Sequence, residues 1–204
     1  MKQHYYTEQP DVKSERRQIH AVLRGREYRF WVDNGVFAKS GIDFGTRLLA
    51  ESMQLPRACQ VLDLGCGYGP LGIVAAALDR ENRVWMVDVN ERAVALAREN
   101  AILNRVQAEV LASDGFAAVE GMRFDAILLN PPIRAGKEVV FSLYEDAYGH
   151  LREGGRLWVV IQKKQGAPST QQKLNERFGE KAVVQVTRKS GYLVLAAKKA
   201  NVEF

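Results

Sequence analysis

From residue 60 onward, short apolar runs alternate with amphipathic ones, and this rhythm restricts the fold more than any other feature of the chain. QVLDLG (60–65), RVWMVDV (83–89), AEVLAS (108–113), RFDAILLN (123–130) and GRLWVVIQ (155–162) read as buried strands. PLGIVAAAL (70–78), ERAVALARENAILN (91–104), EVVFSLYEDAYGHL (138–151) and TQQKLNERFG (170–179) read as the helices between and after them. Pro70 suits a first helical turn, Asn90 an N-cap, and Gly154 with Gly155 a helix stop. The chain closes on AVVQVTRK and GYLVLAAKK, joined through Ser190-Gly191 as in a hairpin. Strands alternating with helices imply an α/β fold, a mostly parallel sheet covered on both faces, with one strand made antiparallel by the final hairpin. Residues 1–58 break the rhythm: IHAVLRGREYRFWVD has mixed strand character, and FAKSGIDFGTRLLAESM reads as a loop feeding a helix. We take 1–58 as an N-terminal extension of the same domain as 59–204.

With 204 residues, 47% of them hydrophobic and 26% charged, the chain is an ordinary globular one with a sizeable core. No apolar run is long enough to span a bilayer, and MKQHYYTEQPDVKSERR lacks the apolar core of a signal peptide. A cytoplasmic location without a membrane partner is therefore expected. Cys59 and Cys66 are the only cysteines and have no metal-ligand spacing around them, so no metal is expected. His4, His20 and His150 are scattered and read as surface or packing residues. The net charge of +5 is unevenly divided. Residues 1–58 carry 10 basic and 7 acidic side chains, 59–160 carry 10 and 14, and 161–204 carry 9 and 3. Basic ends around an acidic centre suit a polyanionic partner.

VLDLGCGYGPLG (61–72) sets Gly65, Gly67 and Gly69 between the first of these strands and its helix. A strand, a glycine turn and a helix N-terminus make a nucleotide-cofactor site in doubly wound sheets. A dinucleotide fingerprint would have its third glycine where Pro70 stands. Asp63, two residues before the first glycine, would repel a pyrophosphate but suits the ammonium and sulfonium of S-adenosylmethionine. Asp88 ends the next strand, where two acceptor oxygens match a ribose diol. In SDGF (113–116), Asp114 is offered to an adenine amino group and Phe116 to the ring beside it. LLNPPIRAGK (128–137) ends an apolar run in Asn130, Pro131 and Pro132. Two prolines cannot continue a central strand, but they freeze the backbone just beyond one and fix the direction of its carbonyls. If this strand lies beside the first, the glycine loop and Asn130-Pro131-Pro132 face each other across one cleft.

Together DLGCGYG, Asp88, SDGF and NPPI resemble the class I S-adenosylmethionine-dependent methyltransferases, over residues 37 to 199 or so. The Asn-Pro-Pro tetrapeptide is similar to that of the branch methylating planar nitrogens: adenine N6, guanine N2 or the glutamine amide. NGVFAKSGIDFGTRLL (34–49) followed by NPPIRAGK looks most like the RsmC-type small-subunit ribosomal RNA guanine-N2 methyltransferases, in a half-length, single-domain form. The resemblance implies a Rossmann-like seven-stranded sheet of order 3-2-1-4-5-7-6 with strand seven antiparallel. It implies S-adenosylmethionine as cofactor, and ribosomal RNA or the small-subunit particle as partner. It carries cofactor contact onto Asp63, Gly65, Cys66, Gly67, Asp88, Val89, Asn90, Asp114, Gly115 and Asn130, and onto Gly45 and Thr46 before them. Asn130, Pro131 and Pro132 become the catalytic group, and Ile133, Arg134, Lys137 and Phe37 the substrate-facing residues. The fourth tetrapeptide position is often aromatic in this branch; here it is Ile133, so Phe37 or Phe44 is expected to stack on the target base. Lys13, Arg16, Arg17, Arg24, Arg26 and Arg29 are further candidates for phosphate contacts, as are Lys163, Lys164, Arg188 and Lys189, whose facing the sequence does not fix.

Overall fold

The structure is a computed structural model and describes residues 13–36 and 41–201. Two strands, β1 (Arg17–Leu23) and β2 (Arg26–Val32), form an antiparallel hairpin outside the main sheet. Its turn holds Arg24 and Gly25 at φ 50° and 73°, the doubly left-handed geometry whose twist matches that of paired strands. Then come α1 (Phe44–Ser52), β3 (Gln60–Leu64), α2 (Pro70–Leu78), β4 (Arg83–Asp88), α3 (Glu91–Leu103), β5 (Glu109–Ala112) and β6 (Phe124–Leu129). The chain continues through α4 (Lys137–His150), β7 (Leu151–Gln162), α5 (Ala167–Phe178), β8 (Val183–Lys189) and β9 (Tyr192–Lys198).

The main sheet has seven strands in the order β5-β4-β3-β6-β7-β9-β8, with β9 antiparallel to both of its neighbours. Counted within this sheet, that is the expected 3-2-1-4-5-7-6. The strand order reverses between β3 and β6, where Leu64 pairs with Leu129, so the glycine loop and Asn130 leave adjacent strands on one edge. Alternation along each strand sorts the core into two layers. Val61, Met86, Leu128, Trp158 and Val194 face α1, α2, α3 and the hairpin, whereas Leu62, Val87, Leu129, Val159 and Leu195 face α4 and α5.

The helix expected to run to residue 151 and stop before Gly154-Gly155 instead ends at His150, and β7 begins at once. The two glycines lie inside that strand. Pairing with β6 slips from Phe124–Leu151 to Ala126–Arg156, so the intervening residues bulge. Gly154 has φ 74°, and a Cβ on Gly155 would lie 2.9 Å from the Arg152 carbonyl oxygen and 3.0 Å from that of Phe124. The glycines serve a bulge, not a helix cap.

The free edge of the hairpin is closed by two asparagines one turn apart, Asn100 in α3 and Asn104 at its C-cap. Asn100 accepts from the Trp31 N–H (2.6 Å) and donates to the Trp31 carbonyl (2.9 Å). Asn104 does the same with Arg29, at 3.1 and 2.7 Å. Each amide therefore stands in for a neighbouring strand and satisfies backbone groups that burial would otherwise leave unpaired. No helix among the described residues is long and apolar enough to cross a membrane, and none of their His, Cys, Asp and Glu form a group suited to a metal ion.

Candidate active site

A cavity of about 460 Å³ opens at the carboxyl ends of β3, β4, β5 and β6. Gly65, Gly67 and Gly69 all have positive φ (69°, 56° and 93°), which turns the chain sharply from β3 into α2 with Pro70 in its first turn. A Cβ on Gly65 or Gly67 would meet no atom within 4 Å, so the space over this turn is left open by the protein. Asp88 supports the turn from the end of β4: Oδ2 accepts from the Gly67 N–H at 2.8 Å and Oδ1 from the Asn90 N–H at 2.9 Å. Burial raises its carboxyl above the usual range, and the backbone donors oppose that rise. Asp63 is almost fully buried. It accepts from the Gly72 N–H at 2.7 Å, and burial, with Asp88 nearby, pushes its carboxyl up to about 7. The Cys66 thiol is pushed well up by burial beside the same two carboxylates, which leaves it protonated and inert.

Asn90 caps α3 by accepting from the N–H groups of Arg92 and Ala93, as its position suggested, and its amide nitrogen also holds the Gly35 carbonyl at 3.0 Å. That bond brings Val36 of the N-terminal segment to the cavity wall. Asp114 lies exposed on the wall beside Gly115, whose φ of 54° turns the SDGF loop. Phe116 points elsewhere: it is buried and stacks on His150 with ring centroids 4.3 Å apart. Val139 and Leu143 of α4 supply the apolar wall that the sequence reading gave to Phe116.

Opposite the glycine turn, Pro132 adopts φ −74° and ψ 73°, and the Ile133 N–H closes back on the Pro131 carbonyl at 2.9 Å. This inverse γ-turn fixes the carbonyl and leaves it one further lone pair. Asn130 is held by the start of α1. Its amide nitrogen donates to Thr46 Oγ1 at 3.0 Å and to Asp43 Oδ1 at 3.4 Å, while Asp43 caps α1 by accepting from the Thr46 N–H at 3.1 Å. The Asp43 carboxylate can only accept, so it is the partner that turns the NH₂ toward α1, and the Thr46 hydroxyl, which can accept or donate, adapts to that choice. Its Oδ1, which has no partner among the described residues, remains available.

Of the residues singled out in the sequence, Asp63, Gly65, Cys66, Gly67, Asp88, Val89, Asn90, Asp114, Gly115, Asn130, Pro131, Pro132 and Thr46 all line this one cavity. Gly45 packs against the Tyr192 ring, which would lie 3.1 Å from a Cβ there. Ile133 is half-buried in the α4 layer, and Arg134 and Lys137 are exposed beyond it, with the Lys137 ammonium over the Phe141 ring. Phe37 lies outside the described residues.

Comparison with known proteins agrees with this geometry. The model of the methyltransferase small domain matches residues 27–196. The chain belongs to the methyltransferase small domain family. Within it, the chain is 47% identical to YbxB of Bacillus subtilis, over 98% of its own length and all of that protein. It is 36% identical to ribosomal RNA small subunit methyltransferase C of Cronobacter sakazakii, over 75% of this chain and 45% of the relative. Among solved structures, the T. thermophilus 16S rRNA N2 methyltransferase RsmC, in complex with AdoMet and guanosine, superposes with a TM-score of 0.81 at 32% identity. That match covers 93% of this chain and 52% of the other. The chain thus spans about half the length of the ribosomal RNA methyltransferases it matches.

The cavity suits the cofactor expected from the sequence: an open glycine cradle, a carboxylate at the second strand end and apolar walls between. Sequence reading missed Asp43, Val36, Tyr68 and Leu143 among the wall residues of this methyltransferase domain. Asp43 carried one available signal, as an N-cap residue three positions before Thr46 and just ahead of the apolar face of α1.

Proposed function

We propose that this chain transfers a methyl group from S-adenosylmethionine to the exocyclic N2 of a guanine in small-subunit ribosomal RNA. The observation that carries this reading is the Asn130 amide, turned by Asp43 and Thr46 so that Oδ1 is free at a cavity whose opposite side is the glycine turn. An exocyclic base amine has two N–H donors and a lone pair delocalised into the ring. Asn130 Oδ1 and the second lone pair of the Pro131 carbonyl each accept one N–H, which favours a pyramidal nitrogen and localises its lone pair. When bound, S-adenosylmethionine supplies an electrophilic methyl on a sulfonium. The nitrogen would take that methyl as its bond to sulfur breaks, leaving a neutral thioether, and would then lose a proton to water, so an amide acceptor suffices and no strong base is required. Asp88 is assigned to the ribose hydroxyls, Asp114 to the adenine amino group and Asp63 to the cationic end of the cofactor. Gly65, Cys66, Gly67, Val89, Asn90 and Gly115 form the cradle around it. Residues 1–58 act as an extension of the domain formed by 59–204, closing the cavity through Val36, Asp43 and Thr46. A guanine reaching this site from folded RNA must be unpaired or flipped out.

The test is methylation of ribosomal RNA from cells lacking the protein, with nucleosides resolved by mass spectrometry. N2-methylguanosine is expected. Appearance of N6-methyladenosine, or of methylglutamine when cell protein is supplied, would move the activity to the corresponding planar nitrogen.

A further inference from the structure

The cation-rich end of the chain meets the cavity at one edge of the sheet. β6 and β7 are parallel, so Asn130 and Gln162 leave the same edge. Tyr192 pairs with Gln162 on one side and Lys189 on the other, so β9 starts there and β8 ends there. The Lys163 N–H donates to the Gly191 carbonyl at 2.7 Å and joins the segment after β7 to the β8–β9 turn. Lys163, Lys164, Arg188 and Lys189 therefore gather at this edge. All four are exposed, and none forms an ion pair among the described residues. The acids of this part of the chain lie elsewhere. Glu176 is in the last turn of α5, and Glu180 precedes Val183, whose partner Ala197 is at the opposite edge.

Between the cations and Asn130 stands an aromatic pair. Phe44, the first residue of α1, meets Tyr192 with ring centroids 5.3 Å apart, and both side chains are half-buried. Directly paired residues of a hairpin share a face, so Lys189 lies on the Tyr192 side, whereas Arg188, opposite the buried Leu193, lies on the other. From β6 to β8 the edge crosses three strand spacings, roughly 15 Å.

We propose that this edge is a track for the single-stranded RNA flanking the target nucleotide. A base stacks on the Phe44–Tyr192 pair, and its phosphates lie along Lys163, Lys164 and Lys189. A half-exposed aromatic pair next to unpaired cations is what unpaired RNA recognises: rings take bases of any sequence, and ammonium groups take the backbone. A duplex would have no unstacked base for the rings. The track rests on the RNA reading of the cavity and adds to it the direction in which the strand leaves, across β7 and β9 rather than over α3.

The test uses the full chain with Lys163→Glu, Lys164→Glu and Lys189→Glu combined, and separately Tyr192→Leu, which keeps apolar bulk against α1. For both variants S-adenosylhomocysteine affinity and kcat at saturating RNA stay at parent values. The triple variant raises KM for RNA at least tenfold and lowers the log–log salt slope of RNA binding by about 2, near 0.7 for each phosphate contact on a single strand. Tyr192→Leu raises KM severalfold without altering the salt slope. Both differences disappear on an RNA trimmed to the target and its immediate neighbours. A triple variant with the parent's KM and slope, on RNA the parent does methylate, overturns the track alone. A parent that methylates no RNA overturns the reading of the cavity and the track with it.

Discussion

Asparagine amides do opposite work in two regions of this molecule. At the seam between the hairpin and α3, Asn100 and Asn104 are buried and both ends of each amide are committed to strand backbone. At the cavity, Asn130 has its nitrogen committed to Asp43 and Thr46 and its oxygen open. A closed amide is a structural joint. A half-closed one is oriented but still able to accept, which is what recognition of an N–H donor demands. The arginines show the same division. Arg24 donates to the carbonyls of Ala50, Glu51 and Met53 at the end of α1, and Arg26 to that of Asn104. Arg16 is paired with Glu99 and lies over Trp31. These cations of the extension, read from the sequence as RNA ligands, hold the hairpin to the domain.

The largest effect is expected where the amide is half-closed. Asn130→Ala should lower methyl transfer by about 10²-fold, the scale of one lost transition-state contact, with S-adenosylhomocysteine affinity nearly unchanged. Calorimetry and single-turnover rates separate the two quantities. Wild-type turnover in this variant would erase the distinction between the two kinds of asparagine.

Asn104→Ala tests the closed kind. It strips the Arg29 N–H and carbonyl of their partners, and about 2 kcal/mol of stability should be lost, visible as a lower denaturant midpoint. The turnover per folded molecule should stay within a factor of two or so. A large drop in rate with stability intact would mean that the seam communicates with the cavity.

The repeating elements could be read from sequence because each signal is local. Apolar alternation places the strands, Pro70 and Asn90 mark helix starts, and three close glycines can only mean a tight turn. Gly154 and Gly155 misled because a helix stop and a bulge use the same residue for the same freedom; only the partner strand decides between them. The tether on Asn130 was out of reach for another reason. Asp43 is 87 positions away, and the contact exists only because α1 docks across the sheet. Asn104 and Arg29 are 75 positions apart and meet through the same kind of docking. Charge counts located the basic ends but could not tell an arginine capping carbonyls from a lysine facing solvent.

A smaller effect is expected at the tether itself. Asp43→Ser keeps an N-cap for α1 but is too short to reach Asn130, leaving only the Thr46 hydroxyl, which can accept from the amide nitrogen or donate to its oxygen. The methyl-transfer rate should fall by roughly 10-fold with cofactor affinity and melting temperature nearly unchanged. If the rate holds, Thr46 alone sets the amide, and Thr46→Val should then show the loss.

The smallest expected effect asks whether Asp63 belongs with the closed groups or the open ones. Burial holds its carboxyl at about 7 in the folded protein against 3.8 ordinarily, and Asp88 is raised in the same direction. Between the ordinary carboxylate range and about pH 7, the folded state therefore keeps a proton that the unfolded chain has released. Stability of the ligand-free protein should fall as pH climbs through that window and level off above it. Thermal melts from pH 4.5 to 8 should show the slope, and Asp63→Asn should flatten it. With S-adenosylhomocysteine present, an ammonium facing Asp63 would favour the ionised carboxylate, so the ligand-induced rise in melting temperature should grow with pH over the same window. A rise independent of pH would leave Asp63 with only its bond to the Gly72 N–H. It would then be an anchor between β3 and α2, closed in the way that Asn104 is closed.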